Sequence, residues 1–241
     1  MDELKAEHEK QNKLRREFTA NVSHELKTPL TSISGYAEIM RNGVARPEDI
    51  SHFSGIIYDE AQRLMTLGVD IIDLSKLEEK EIYQDKKEID LHSLSENVVS
   101  RLESIAKKRG INFEIHGNHE KITGVESIID EIIYNLCDNA IKYNKENGIV
   151  IIDIKNADGI VEYTVTDTGI GIAKDDLDRV FERFYRVDKS HSRKMGGTGL
   201  GLSIVKHGVS FHGGEVSIKS EINSGTSVKI RFTDKFNTDL T

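Results

Sequence analysis

The sequence predicts a helical hairpin that pairs into a dimeric four-helix bundle, followed by an α/β sandwich with one mixed sheet. Three observations carry this. Apolar residues recur at helical spacing through the first third of the chain. A charged stretch over 78–88 then lacks any sustained apolar face. Beyond Asp90, helical periods alternate with segments of period two, as helices covering a sheet require.

At 241 residues the chain has room for one large domain or two small ones, and its hydrophobic fraction of 37% supports a packed core. No segment approaches the length of a membrane span. Met1-Asp-Glu-Leu-Lys carries no apolar signal region. The net charge of −8 argues against a non-specific nucleic-acid binder. Cys137 is the one cysteine, so no intrachain disulfide forms, and a reducing, cytoplasmic setting is expected. Its place in an apolar helical pattern reads as a small core residue.

Residues 1–17 are strongly charged and read as a solvated helix entering from upstream. From Leu14 to about Met40, helical spacing runs through Phe18, Val22, Leu26, Leu30 and Ile33. The stretch Arg41–Pro47 breaks the pattern, with Gly43 suited to end one helix and Pro47 to open the next. In the second helix Ile50, Ile57, Leu64 and Ile71 fall seven apart. Phe53, Leu67 and Leu74 form a second seven-residue row, which Glu60 interrupts. A two-helix hairpin has too little surface to bury both stripes alone, so a homodimer is expected.

The domain bounds expected are a charged lead-in over 1–17, the hairpin over 18–80, a linker over 81–89, the sandwich over 90–235 and a tail over 236–241. In the sandwich, helices are predicted at Leu91–Lys108, at Glu126–Tyr143 and from near Leu200. Strands are predicted at Ile111–Ile115, Ile149–Ile154, Val161–Thr166, Glu215–Ser220 and Ser227–Phe232, the last two flanking a turn at Asn223-Ser-Gly225.

Four motifs carry chemistry. His24 stands beside Glu25, a carboxylate able to accept from one ring nitrogen and leave the other as nucleophile. Thr28 lies one helical turn on, where its hydroxyl can hold a water, and Pro29 removes the donor for the Glu25 carbonyl. Asn135, Asn139 and Lys142 share one helical face. Asparagine is a poor helix former, while its carboxamide oxygen is a hard ligand suited to Mg²⁺ on phosphates, near which Lys142 adds positive charge. Taken alone, the same face also fits a solvated polar surface.

Asp167 ends a predicted strand and opens Asp167-Thr-Gly169-Ile-Gly171-Ile172, where a carboxylate can accept an adenine amino group and glycines let backbone approach the base. An ordinary turn has the same look. Gly196-Gly197-Thr198-Gly199-Leu200-Gly201 precedes a helix, whose free amides and dipole favour phosphate. It lacks the Gly-Lys-Ser/Thr ending of a P-loop. The polar, basic stretch Tyr185–Met195 reads as a mobile lid, with Phe181–Arg186 closing one side.

In this order the motifs resemble the cytoplasmic core of bacterial two-component sensor histidine kinases, over nearly the whole chain. The H box falls at His24, the N box at Asn135–Tyr143, the G1 box at Asp167–Ile172, the F box at Phe181–Arg186 and the G2 box at Gly196–Leu202. The resemblance implies a dimerisation and histidine-phosphotransfer domain, then an ATP-binding domain of the kind shared with DNA gyrase. It makes His24 the phosphoacceptor, Asn135 the main Mg²⁺ ligand and Asp167 the adenine anchor. Thr28 takes the position linked to dephosphorylating the partner. Asn139, Lys142, Tyr143, Gly169, Gly171, Gly197, Thr198, Gly199, Leu200 and Gly201 complete the implied ATP site. Implied partners are a second copy and the receiver domain of a response regulator, with an upstream sensor or membrane segment in the full-length protein. Two other classes stay open: a nucleotide-switched ATPase, which has no use for His24-Glu25, and a dimeric scaffold, which does not need intact nucleotide motifs.

Overall fold

The computed structural model describes residues 2–78, 86–187 and 197–233. It divides into two compact units, Met1–Asp70 and Ile71–Thr241, with the boundary inside the second helix.

The first unit holds helix α1, Asp2–Arg41, and most of α2, Ile50–Glu78. The charged lead-in is continuous with the rest of α1 and forms no element of its own. Pro29 does not break this helix. The hydroxyls of Thr28 and Thr31 donate to the carbonyls of His24 and Lys27 one turn back, at 3.3 and 2.8 Å, so the bonding lost at Pro29 stays local. Gly43, at φ +68°, supplies the left-handed residue that ends the helix. Pro47 then opens a 3-10 turn, Pro47–Asp49, leading into α2.

Tyr36 meets Phe53 with ring centroids 5.0 Å apart, and Arg63 meets Glu25, as an antiparallel hairpin requires. Leu67 is buried, whereas Tyr58, Met65 and Ile72, seven apart on α2, remain 55–63% exposed. The hairpin therefore leaves an apolar row outside, and it is not one of the two rows predicted.

The second unit runs β1 (Lys86–Asp90), α3 (Leu91–Lys108), β2 (Asn112–Gly117), β3 (Lys121–Val125), α4 (Glu126–Lys142), β4 (Ile149–Ala157), β5 (Ile160–Asp167), α5 (Gly201–Phe211), β6 (Glu215–Glu221) and β7 (Gly225–Thr233). Five strands form one sheet in the order β2-β4-β5-β7-β6. Only the β2–β4 pair is parallel, so the sheet is mixed as expected. The alternation read from the sequence has a physical cause: Val150, Ile152 and Ile154 of β4 and Val161, Tyr163 and Val165 of β5 point into the core. There they join Ile129, Ile132, Ile133 and Ile141 of α4. Buried Tyr163 keeps its hydroxyl satisfied through Ser95 of α3, 2.9 Å away.

Residues 86–89, expected in the linker, instead form strand β1, which pairs antiparallel with β3. Of its five residues only Ile89 is buried, so the charged sequence hides the strand. Asp90 ends β1 and caps α3 by accepting from the Ser93 amide at 3.0 Å. His212, buried after α5, accepts from the Val125 amide at 3.1 Å and ties that end of α5 to the start of α4.

Candidate active site

In the first unit His24 is exposed on α1. Among the described residues no hydrogen bond joins its ring to Glu25. Consecutive helical residues point about 100° apart, which turns Glu25 to the inside of the hairpin. There its carboxylate accepts from the Arg63 guanidinium at 2.9 Å. The Thr28 hydroxyl is likewise engaged, on the His24 carbonyl.

In the second unit the chemistry gathers at the end of α4. Asn135 donates its amide nitrogen to the Glu131 carbonyl at 2.9 Å and to the Glu131 carboxylate at 2.8 Å. That fixes the carboxamide so that Oδ1 is the outward atom. A Cβ built on Gly201 would lie 2.6 Å from this Oδ1 and 3.6 Å from Nδ2 of Asn139, so the start of α5 seats on both asparagines. Lys142 is paired with Asp138 at 2.7 Å.

Asp167, at the end of β5, accepts from the amides of Gly169 at 2.8 Å and Thr226 at 3.2 Å, both on Oδ1. Among the described residues nothing bonds Oδ2. Burial pushes this carboxyl up to about 6, against the pull of those two amides. Gly169 is required by contact, since a Cβ there would sit 2.2 Å from the Tyr143 carbonyl. Gly171 needs its freedom as well, at φ +69° with the Glu221 carbonyl 2.0 Å from a Cβ position. Burial also raises the Tyr143 phenol, which Lys142 and Arg186 partly offset.

In the glycine loop, Thr198 is buried and accepts from the Leu200 amide at 3.2 Å. Gly199 sits at φ +76° against Phe184, whose amide donates to the Gly199 carbonyl at 2.8 Å. The Arg186 guanidinium donates to the Gly197 carbonyl, so the segment 181–186 does border the loop. Gly196 and most of the expected lid, residues 188–196, lie outside the described residues.

The arrangement is a phosphate-type glycine loop, a carboxylate pocket and a carboxamide oxygen on one unit, with an exposed imidazole on the other. Two families match in the same order: the His Kinase A (phospho-acceptor) domain over residues 14–80, and the histidine kinase-, DNA gyrase B- and HSP90-like ATPase over residues 124–235. The chain belongs to the two-component sensor histidine kinases.

The chain is 39% identical over 223 residues to the sensor-like histidine kinase SenX3 of Mycolicibacterium smegmatis, covering 92% of the chain and 58% of that protein. It is 38% identical over 228 residues to the sensor histidine kinase WalK of Bacillus subtilis, covering 92% and 37%. The chain thus spans about half or less of these relatives. Among solved structures, the fold is shared with histidine kinase AdeS of Acinetobacter baumannii, with a TM-score of 0.71 at 23% identity, covering 88% of this chain and 98% of that one. It is shared also with histidine kinase ThkA in complex with response regulator TrrA, with a TM-score of 0.72 at 24% identity, covering 96% and 67%.

The second unit carries the ATPase domain, which implies ATP binding. The glycines let segments of this unit approach one another where a Cβ would collide, and among the described residues no hydrogen bond reaches Asp167 Oδ2 or Asn135 Oδ1. Among the described residues, no helix is long and apolar enough to cross a membrane.

Several supporting residues were not foreseen. Arg109 donates to the carbonyls of Ile141, Lys142 at 2.8 Å and Asn144 at 3.0 Å, closing the end of α4. Asn144 is buried and accepts from the Thr168 hydroxyl at 3.1 Å, while the Ile170 amide donates to the Tyr143 carbonyl at 3.0 Å. These bonds clamp the end of α4 to the Asp167 loop. The charge on Arg109 after a helix was the one available signal; the rest depend on partners far along the chain.

Proposed function

We propose that this chain is an ATP-dependent protein-histidine kinase. It phosphorylates His24, passes the phosphoryl group to an aspartate on the receiver domain of a response regulator, and dephosphorylates that regulator. The observation that carries the reading is the exposed His24 on a hairpin helix in the same chain as the Asp167, Asn135 and glycine-loop cradle.

In this mechanism Asp167 Oδ2 accepts the adenine amino group. The amides opening α5 meet the phosphates. The Asn135 oxygen would hold Mg²⁺, which would neutralise phosphate charge. Lys142 adds positive charge once its pairing with Asp138 yields. His24 attacks the γ-phosphorus in line: the N–P bond forms, the bond to the ADP oxygen breaks, and the imidazole proton goes to Glu25. In the reverse sense of signalling, Thr28 orients the water that cleaves the regulator's aspartyl phosphate.

The chain acts as a homodimer. The exposed row Tyr58, Met65 and Ile72 supports this, since a second hairpin covers it. The full-length protein adds a sensor and membrane segment upstream. A regulator docks beside His24, on Tyr36, Ala37, Met40 and Arg41 of α1. The solved pair of ThkA with its response regulator supports a partner of that class.

Phosphohistidine is acid-labile and base-stable. Label from γ-labelled ATP should show that stability, depend on Mg²⁺, fall in Asn135→Ala, and chase to a receiver domain. Label that survives acid would overturn the reading.

A further inference from the structure

The helix-covered face of the sheet ends in a polar row. Across β5, β7 and β6 the register aligns Tyr163, Ile230 and Val216, and in the next row Val165, Val228 and Ile218. All six belong to the core or pack against it. One row further on, two residues along each strand, the same face carries Asp167, Thr226 and Ser220. Asp167 and the Thr226 amide already meet in the candidate site. Ser220, the outermost of the three, has no part in it so far.

The Ser220 hydroxyl is fully engaged. It stands 2.7 Å from the Gly225 carbonyl, 2.8 Å from the Ile172 amide and 2.8 Å from the Thr226 hydroxyl. A carbonyl only accepts, so the serine proton goes to Gly225, and its two lone pairs receive the Ile172 amide and the Thr226 hydroxyl. Each partner borders Asp167. Ile172 closes the loop that Asp167 opens. Gly225, at φ +107°, backs directly onto the Asp167 carbonyl, where a Cβ would collide. Thr226 donates its amide to Asp167 Oδ1 at 3.2 Å. One hydroxyl thus joins the turn between β6 and β7 to both sides of the carboxylate.

We propose that Ser220 is a positioning residue for adenine recognition. It holds the turn in place so that the Thr226 amide stays on Oδ1 of Asp167, which leaves Oδ2 aimed at the base. A serine at the end of a strand is often only a satisfied polar group. This one differs because its three bonds all converge on the surroundings of a single carboxylate. Without the hydroxyl, the Ile172 amide loses its acceptor and the turn loses its tie to the loop. The Thr226 amide then drifts from Oδ1, and Asp167 loses one of the two amides that favour its ionised form.

The proposal rests on Asp167 as the adenine anchor, and the test separates the two. ATP affinity is measured by calorimetric titration from pH 5 to pH 9 for the parent chain, Ser220→Ala and Ser220→Thr. Each is measured with Asp167 and with Asp167→Asn, and thermal unfolding is recorded beside them. The titration of ATP itself is common to all, so differences between variants read the protein. Ser220→Ala should move the acid limb of binding up by about one pH unit, the order expected from a lost bond to a carboxylate. Affinity should then be about fivefold weaker at pH 6 and within about threefold of the parent at pH 9. Ser220→Thr keeps the hydroxyl and should keep the parental limb. With Asp167→Asn in place, Ser220→Ala should leave the pH profile unmoved. Ser220→Cys, close in size with a weak donor, repeats the measurement if Ser220→Ala does not fold.

A merely structural Ser220 predicts another outcome: affinity weakened by the same factor at pH 6 and pH 9, or the same shift of the limb with Asp167→Asn in place. Either overturns the proposal, as does a parental profile in both Ser220→Ala and Ser220→Cys. A parent whose own profile matches that of Asp167→Asn overturns instead the role of Asp167 on which the proposal rests.

Discussion

Gly201 lies so close to Asn135 that a methyl group on it would sit 2.6 Å from the carboxamide oxygen. Its φ is not in the left-handed region, so approach alone requires glycine here. The start of α5 is thereby fitted to the residue that would hold the metal under the proposed function. Gly201→Ala should push the carboxamide aside and weaken Mg²⁺–nucleotide binding about tenfold, or ~1.4 kcal/mol. The unfolding midpoint should move little, because the end of a side chain can give. Calorimetric titration with and without Mg²⁺ checks this, and an unchanged Mg²⁺-dependent part would remove Asn135 from the metal site.

Asp167 sets the pH dependence of binding. Burial raises its carboxyl to about 6, so the fold favours the protonated form. Its contribution to stability is present at low pH and is lost as pH rises through about 6. The ionised form is the better acceptor for adenine, so affinity should run the opposite way: about tenfold weaker at pH 5 than on its plateau. Asp167→Asn should flatten that dependence, bind more weakly at pH 8, and unfold at a higher temperature there than the parent. A parent profile matching that of Asp167→Asn would contradict the assignment.

Cys137 is buried in α4, and burial pushes its thiol up to about 12. The folded chain at pH 8 should therefore resist thiol reagents, because the thiolate is scarce and the sulfur covered. Modification should appear only in denaturant. Mass spectrometry of the native chain after reagent treatment decides it, and rapid stoichiometric labelling would mean that α4 opens locally.

Met65 stands at the middle of the exposed row on α2, at 55% exposure. Met65→Lys should shift the chain from dimer to monomer in sedimentation while leaving nucleotide affinity as it was. A dimer that persists would move the interface elsewhere on the hairpin.

How much of this was legible depended on the range of the interaction. Helix α3 matches the expected Leu91–Lys108, because its apolar period and charged last turn are local signals. Strand β1 was hidden because one buried residue, Ile89, makes no period; its partner β3 lies some thirty residues on, at Ile122 opposite Ile89. The same holds at the site. Asp167, Asn135 and the glycine loop announce themselves by type and spacing. What orients them does not: Thr226 is 59 residues from Asp167, and Arg109 is 33 from Lys142. Glu25 shows the sharper lesson. Its neighbour in sequence suggested the imidazole as partner, while helical geometry gave it to Arg63, 38 residues away.

Under the proposed function His24 receives the phosphoryl group from nucleotide bound on the second unit. His24→Gln tests it most directly when labelling and ATP affinity are measured on the same preparation. Acid-labile label should be lost completely, with nucleotide affinity within twofold of the parent. Label of parental amount and stability in that variant would contradict it.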